Sequence, residues 1–398
     1  MTAMPIVLLG GIYSGAFTPT EAAAVAAFHA LVLAAVAARN PRTALGNVPM
    51  TPSRVEHGGP DGGTPVTHDF SSNVNPLGPP AEMAAAVQVA DRGRYPDPHY
   101  RQIRERLAVW HGVAASRVLP TAGTSEAIRR LTLSAQLQGV RSVWLPQPGY
   151  GDYRAAAHAL GLSVHDYADG NALLQGLNDA PGPALVWLCE PCNPTGQSLP
   201  TAFWSALAGT ASQRPLTLAV DRAYEPLRLD GADPVSPAVA DQAWQCFSPN
   251  KAFGLPGVRA GYLLAPADAL TACVESLAPS WVLSAEGVAL LDALPNSSTQ
   301  EWLAQSRLTL AQWVQTQRES LHALGWHQST SSVPFWLARP SQQGDALRHL
   351  LARLRAHGVK LRDATSFGLP GRVRVSAQPP LAQQALVDAW RHAAQEST

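Results

Sequence analysis

Near-continuous apolar runs alternate with amphipathic stretches along most of this chain. Ser142–Leu145, Ala184–Cys189 and Leu216–Val220 read as short strands buried on both faces, each separated from the next by helix-forming residues. That alternation predicts an α/β fold with a largely parallel sheet covered on both sides and ligands at the carboxyl ends of the strands. Ile103, Leu107 and Trp110 recur at helical spacing after the Tyr95-Pro96-Asp97 stop, which predicts an amphipathic helix. Val118-Leu119-Pro120 leads through a small-residue turn into TSEAIRRLTLSA, an apolar strand running into a helix. Beyond about Leu263 the pattern changes to a long helix through SRLTLAQWVQTQRESLHALG. Strand-like SSVPFWLARP and GRVRVSA follow, with a helix RHLLARLRAHG between them.

Two stretches depart from this rhythm. The first fifty residues are apolar, glycine-broken and alanine-rich, and the run Ala22–Ala38 has 17 residues without a formal charge, near the lower limit for a bilayer span. It lacks the basic n-region of a signal peptide. Residues 5–37, with GGIYSGAFTPTEAAA at their centre, resemble a piece of the large permease subunit of tripartite dicarboxylate transporters. We expect this segment (1–49) to be a fusion remnant or an early start, with Met50 as the true start; the alternative is a membrane tether. The second stretch, HDFSSNVNPLGPP, is polar and turn-rich, so it is an ordered loop or a linker rather than a core element.

Composition narrows the class. At 398 residues, two domains or a large and a small one are expected. Net charge is zero and no long basic stretch occurs, so neither nucleic acid nor an acidic surface is favoured as partner. Four cysteines in a chain this long suit a reducing cytoplasm. Cys189 and Cys192 have redox-motif spacing, but no second pair completes a zinc site, so no metal is expected.

The lysines change the picture most. Of 29 basic residues only Lys251 and Lys360 are lysine. A nucleophilic amine must be lysine, because guanidinium does not deprotonate in proteins. Lys251 is therefore a candidate for chemistry, and Lys360 reads as a surface residue. Ser248 and Arg259 flank Lys251 in a glycine- and proline-broken loop, where hydroxyl, guanidinium and amides make a phosphate cup. Gly123, Thr124 and Ser125 open a helix, a second anion-binding arrangement. Asn193 and Asp221 follow strand ends, and the spacings from Asn193 to Asp221 and from Asp221 to Lys251 are 28 and 30 residues.

These motifs, S-x-x-K with G-x-R-x-G-Y, N-P-T-G and D-x-A-Y, resemble those of fold-type I pyridoxal-phosphate enzymes of the class I/II aminotransferase group. The resemblance implies pyridoxal 5'-phosphate as cofactor, a large binding domain (91–265) and a small α+β domain (266–398). Lys251 would carry the catalytic amine, and Asp221 would keep the pyridine nitrogen protonated. Asn193 and Tyr224 would hydrogen-bond the phenolate oxygen, Tyr150 would stack on the ring, and Tyr95 would reach the phosphate in the other subunit of a homodimer. Arg374 would hold the substrate carboxylate, although Arg372, two residues away, competes for that role. Arg222, Pro249-Asn250 and Glu190-Pro191-Cys192 depart from the group's usual residues.

The arm (50–90) narrows the resemblance. HGG, DFSSNVNPLGPP and YPDPHYRQIRERLA resemble the threonine-phosphate decarboxylase family of cobalamin synthesis, over about residues 55–395. This implies decarboxylation of L-threonine O-3-phosphate, with His57, Gly58 and Asn75 on the substrate. The alternative is amino transfer of the histidinol-phosphate aminotransferase type. A third reading is a non-catalytic, membrane-anchored protein on the same fold, which would lack the cofactor's yellow colour.

Overall fold

The run Ala184–Cys189 forms a strand in which every residue is buried, as an uninterrupted apolar run requires. Its side chains divide by the period of two: Leu185 and Trp187 join the cluster around Leu119, Ile128 and Tyr153, while Val186 and Leu188 join the one around Leu173, Trp204 and Leu207. Truncating Trp187, which is fully buried, would cost about 3–5 kcal/mol.

The computed structural model describes residues 55–179, 182–269 and 271–395, all within the unit Arg54–Thr398. The expected extension 1–49 and the Met50 start lie outside the described residues. A two-residue strand, β1 (His68–Asp69), lies in the arm. Seven strands then build the main sheet: β2 (Val118–Thr121), β3 (Ser142–Pro146), β4 (Ser163–Tyr167), β5 (Ala184–Cys189), β6 (Leu216–Asp221), β7 (Ala243–Phe247) and β8 (Gly261–Leu264). Their order is β2-β8-β7-β6-β5-β3-β4, with parallel pairing from β7 through to β4 and antiparallel pairing of β8 to both neighbours. The sheet is thus mostly parallel, as the alternation predicts. The reversed β8 takes up residues that read as part of the lysine loop.

A second sheet joins β9 (His327–Gln328), β10 (Phe335–Arg339), β12 (Arg362–Asp363) and β13 (Val373–Ser376), all antiparallel. Trp336, Val373 and Val375 pack there against Leu350 and Leu354 of the helix Gly344–Ala356 and Trp390 of the helix Pro380–Gln395. Between β10 and β13 in sequence lies β11 (Val359–Lys360), which pairs in parallel with β1 and fastens the arm to this smaller layer. The long helix runs Ser297–Ala323.

One helix deviates from its pattern. Arg101–His111 buries Ile103, Leu107 and Ala108, whereas Trp110 is 40% exposed and leans on His111 with ring centroids 4.6 Å apart. The buried stripe turns toward Ala108 in the last turn. Spacing alone could not show that shift.

Candidate active site

The parallel strands bring their carboxyl ends to one edge of the sheet. β6 ends in Asp221 itself, β5 runs on to Asn193, and β7 is followed by a single 3-10 turn, Pro249–Lys251. Tyr150 precedes the helix Gly151–Ala159, and Gly123 caps the helix Thr124–Leu137. β13 contributes Arg374 from the smaller sheet, and the arm contributes Glu56–Gly58 and Ser72–Val74. Together they line a cleft of about 240 Å³ that also holds Arg259 and Phe367.

Asp221 is fixed before any ligand arrives. Tyr153 Oη donates to its Oδ2 at 2.8 Å, and Ala223 N donates to Oδ1 at 3.0 Å. Burial pushes its carboxyl above the usual range, and the positive charge of Lys251 opposes that rise. Burial likewise pushes the Lys251 ammonium below its ordinary value, with Asp221 the main opposing charge. The lysine is thereby eased toward the free amine that a nucleophile or proton carrier needs. Its Nζ stands 5.3 Å from the Tyr224 ring centroid. Burial pushes the Tyr224 phenol up to about 12, against the charge of Arg374, so the hydroxyl remains a donor at neutral pH.

Arg374 is buried on a strand, its Nη1 donating to Asn193 Oδ1 at 2.7 Å and its Nη2 to Ser71 O at 2.6 Å. Its Nε has no partner among the described residues, and no carboxylate there pairs with it. Burial lowers its pKa to about 10, which leaves a charged fork facing the cleft with neutral acceptors only. Arg372 lies before the strand and outside the cleft lining, so Arg374 is the arginine available to a carboxylate.

At the opposite end, Arg259 donates to Pro256 O at 3.1 Å and Ala122 O at 3.4 Å, across the first turn of the helix Thr124–Leu137. Gly123 has φ 89°, and a Cβ there would lie 2.5 Å from Arg259 Nη2. A glycine is needed for both reasons. Thr124 Oγ1 is buried without a partner among the described residues, beside the free amides of the helix start. These groups are arranged as an anion cup.

The cleft collects Lys251, Thr124, Tyr150, Asn193, Asp221, Tyr224, Arg259, Arg374, His57 and Gly58. The other expected site residues fall elsewhere. Gly123 lies behind Arg259. Ser125 Oγ and Tyr150 Oη are 3.1 Å apart, so the serine steadies the ring instead of lining the cleft. Ser248 is buried and donates to Asn250 Oδ1 at 3.0 Å. Tyr95 is 78% exposed and stacks on Trp281 at 4.3 Å, away from this chain's own cleft. Asn75 is turned inward: its Nδ2 donates to Ala252 O at 2.9 Å and Ser306 Oγ at 2.7 Å, and its Oδ1 accepts from Leu77 N. With its amide committed to the fold, it does not line the cleft. The asparagine that does is Asn73, buried, with its amide near the Tyr224 hydroxyl. In S-N-V-N-P both asparagines fall on one side of an extended chain, so the sequence offered no way to choose between them. Phe367 was also missed, since an apolar residue in a turn carries no chemical signal.

A family model described as aminotransferase class I and II matches residues 67–389. The chain belongs to that aminotransferase family. A model of the DctM component of tripartite ATP-independent periplasmic transporters matches residues 1–51. The threonine-phosphate decarboxylase of Salmonella typhimurium is 30% identical over 60% of this chain and 68% of its own length. The histidinol-phosphate aminotransferase of Halorubrum lacusprofundi is 32% identical over 77% of this chain and 83% of its own. Among solved structures, the histidinol-phosphate aminotransferase of Sinorhizobium meliloti in complex with pyridoxal-5'-phosphate superposes with a TM-score of 0.71 at 21% identity. That match covers 84% of this chain and 92% of the other. The fold is that of the fold-type I enzymes.

The residues of this aminotransferase-family cleft fit pyridoxal 5'-phosphate. The unpartnered Thr124 hydroxyl, the helix amides and Arg259 suit its phosphate. Asp221 suits a protonated ring nitrogen, Tyr224 and Asn193 a phenolate, and Lys251 the carbonyl carbon. Among the described residues no helix is long and apolar enough to cross a membrane.

Proposed function

We propose that this family member uses pyridoxal 5'-phosphate to decarboxylate L-threonine O-3-phosphate to (R)-1-amino-2-propanol phosphate, a reaction of cobalamin synthesis. The observation that carries the reading is the arm. It lays His57, Gly58 and Asn73 in the wall of the cleft beside Arg374, which adds donors for a second anionic group next to those for a carboxylate, while the Glu56 carboxylate is taken up by Arg362. Gly58 is required there, because a Cβ would lie 1.9 Å from Ser71 O and 3.0 Å from Arg374 Nη2. His57 Nε2 stands 3.8 Å from Asp152 Oδ1, and its ring lies 5.7 Å from that of Tyr150.

The cofactor, when bound, supplies an electron sink for charge developing at the substrate's α-carbon. Arg374 orients the carboxylate, exchanging its neutral acceptors for a bidentate, charge-assisted pair. Asn73 and His57 donate to the phosphate, and Phe367 excludes water beside it. Asp221 holds the counter-charge that favours electron flow away from the α-carbon. When the bond to the carboxylate breaks and carbon dioxide leaves, Lys251 Nζ delivers a proton to the α-carbon.

The second reading is amino transfer from histidinol phosphate. It is favoured by the fuller coverage of the Halorubrum relative. A product assay on the cofactor-loaded protein separates the two. Carbon dioxide from L-threonine O-3-phosphate without keto acid supports decarboxylation. Glutamate formed from 2-oxoglutarate and histidinol phosphate, with no carbon dioxide, rejects it.

Three features accompany the proposal. The enzyme is a homodimer in which the exposed Tyr95 reaches the partner's cleft. It works in the cytoplasm, where its four thiols stay reduced. Its functional parts are an arm (50–90), a cofactor domain (91–265) and a small domain (266–398).

A further inference from the structure

The loop that follows His57 is built around one carboxylate. Asp61 Oδ1 accepts from Arg355 Nη2 at 2.7 Å, and Oδ2 accepts from Arg355 Nη1 at 2.8 Å and Lys360 Nζ at 2.8 Å. The two cations also grip the arm's backbone: Arg355 donates to Thr64 O at 2.9 and 3.1 Å, and Lys360 donates to Gly59 O. Gly63 lets this happen, since a Cβ there would come within 2.6 Å of Arg355 Nη2. An isolated surface ion pair holds little in place. This one differs, because it is bidentate, has a second cation whose side chain is only 11% exposed, and adds two backbone carbonyls. Arg355 holds the Asp61 carboxyl well below the usual carboxylate range, with Lys360 second. Both cations belong to the small domain, and Gly59 adjoins Gly58 in the cleft wall. The lysine that reads from sequence as an idle surface charge is thus tied to the site.

We propose that Asp61 is a positioning residue for a phosphorylated amino substrate: through Arg355 and Lys360 it clamps the arm to the small domain and so holds Glu56–Gly58 in the cleft. The clamp rests on the reading that the arm meets the substrate. It touches no reacting atom, so its loss weakens binding and spares the chemical step.

The test compares wild type, Asp61→Asn, Lys360→Met and the double variant as cofactor-loaded enzymes. Four quantities are read: KM and kcat for L-threonine O-3-phosphate, the cofactor absorbance band, and hydrogen exchange of amides 57–64 without substrate. Either single change is expected to raise KM about tenfold with kcat nearly constant, which marks lost ground-state binding. Exchange in 57–64 should quicken and the absorbance band stay in place. The double variant should add little to either single change, because both act through one contact. Unchanged KM in both single variants overturns the proposal, whether or not exchange quickens. So does a fall in kcat with a displaced band, which would mean general damage. If wild type ignores L-threonine O-3-phosphate and turns over histidinol phosphate, the decarboxylase reading fails. The same KM comparison with histidinol phosphate then decides the clamp separately.

Discussion

Asp221, Asn193, Tyr224 and Lys251 reach the cleft from successive strand ends of one sheet, whereas Arg374, Phe367, Asn73 and His57 come to it from a second sheet and from the arm. The first group forms a floor that is already internally balanced. Asp221 has two donors, and its carboxylate and the Lys251 ammonium each shift the other back toward its charged form. The second group forms a wall with surplus capacity. Arg374 Nε lacks a partner among the described residues, the guanidinium makes do with neutral acceptors, and the Asn73 amide has at most the Tyr224 hydroxyl beside it. Buried polar groups without partners are costly in a folded protein, and a ligand relieves the cost. Under the proposed function, the common chemistry falls to the floor and the choice of substrate to the wall.

Substitutions on the floor should therefore abolish turnover, while those on the wall should change affinity. Lys251→Ala is expected to lower product formation by at least about 10³-fold, because the proton carrier is lost. A variant with near-normal turnover would remove the floor's claim to the chemistry. Arg374→Ala comes next, at about 100-fold in kcat/KM, and the loss should follow the substrate's carboxylate. An equal loss with an amine lacking that carboxylate would mean the arginine merely supports the fold. Asn73→Ala should cost about tenfold in KM for the phosphorylated substrate, while Asn75→Ala should lower the melting temperature and leave KM alone. The reverse result would return the role to Asn75.

The smallest effect on activity lies outside both regions. His111 Nε2 is 2.9 Å from Tyr262 Oη, and burial, with the charge of Arg222, lowers its pKa to about 4. Between that value and the ordinary 6.5 the unfolded chain binds the extra proton, so stability is present above 6.5 and is lost as pH falls toward 4. Urea titrations at pH 7 and pH 4.5 should differ by roughly 2 kcal/mol more in wild type than in His111→Gln. Equal differences would assign acid sensitivity to other groups.

Much of the floor was legible because one physical rule spaces it. A parallel strand and its return helix take about thirty residues, so Asn193, Asp221 and Lys251 recur at that interval. The scarcity of lysine singled out Lys251 as well. The wall obeys no such rule. Asn73 and Asn75 are two residues apart and chemically identical, and only packing against Ser306 and Ala252 turns one away from the cleft. Phe367 had no distinguishing chemistry. Lys360 looked like an ordinary surface charge until the fold set it between Gly59 and Asp61.

From sequence alone, then, the α/β architecture and the strands at Ala184–Cys189 and Leu216–Val220 were legible, the second extending one residue further to Asp221, and the floor groups stood out as candidates, because periodicity and residue chemistry act locally along the chain. The reversal of β8, the contact of Ser125 with Tyr150, the burial of Ser248, the choice of Asn73 and the clamp on the arm were decided by tertiary structure. Each depends on contacts between segments far apart in the chain, such as the 294 residues that separate Asp61 from Arg355, and no local pattern encodes which distant group will arrive.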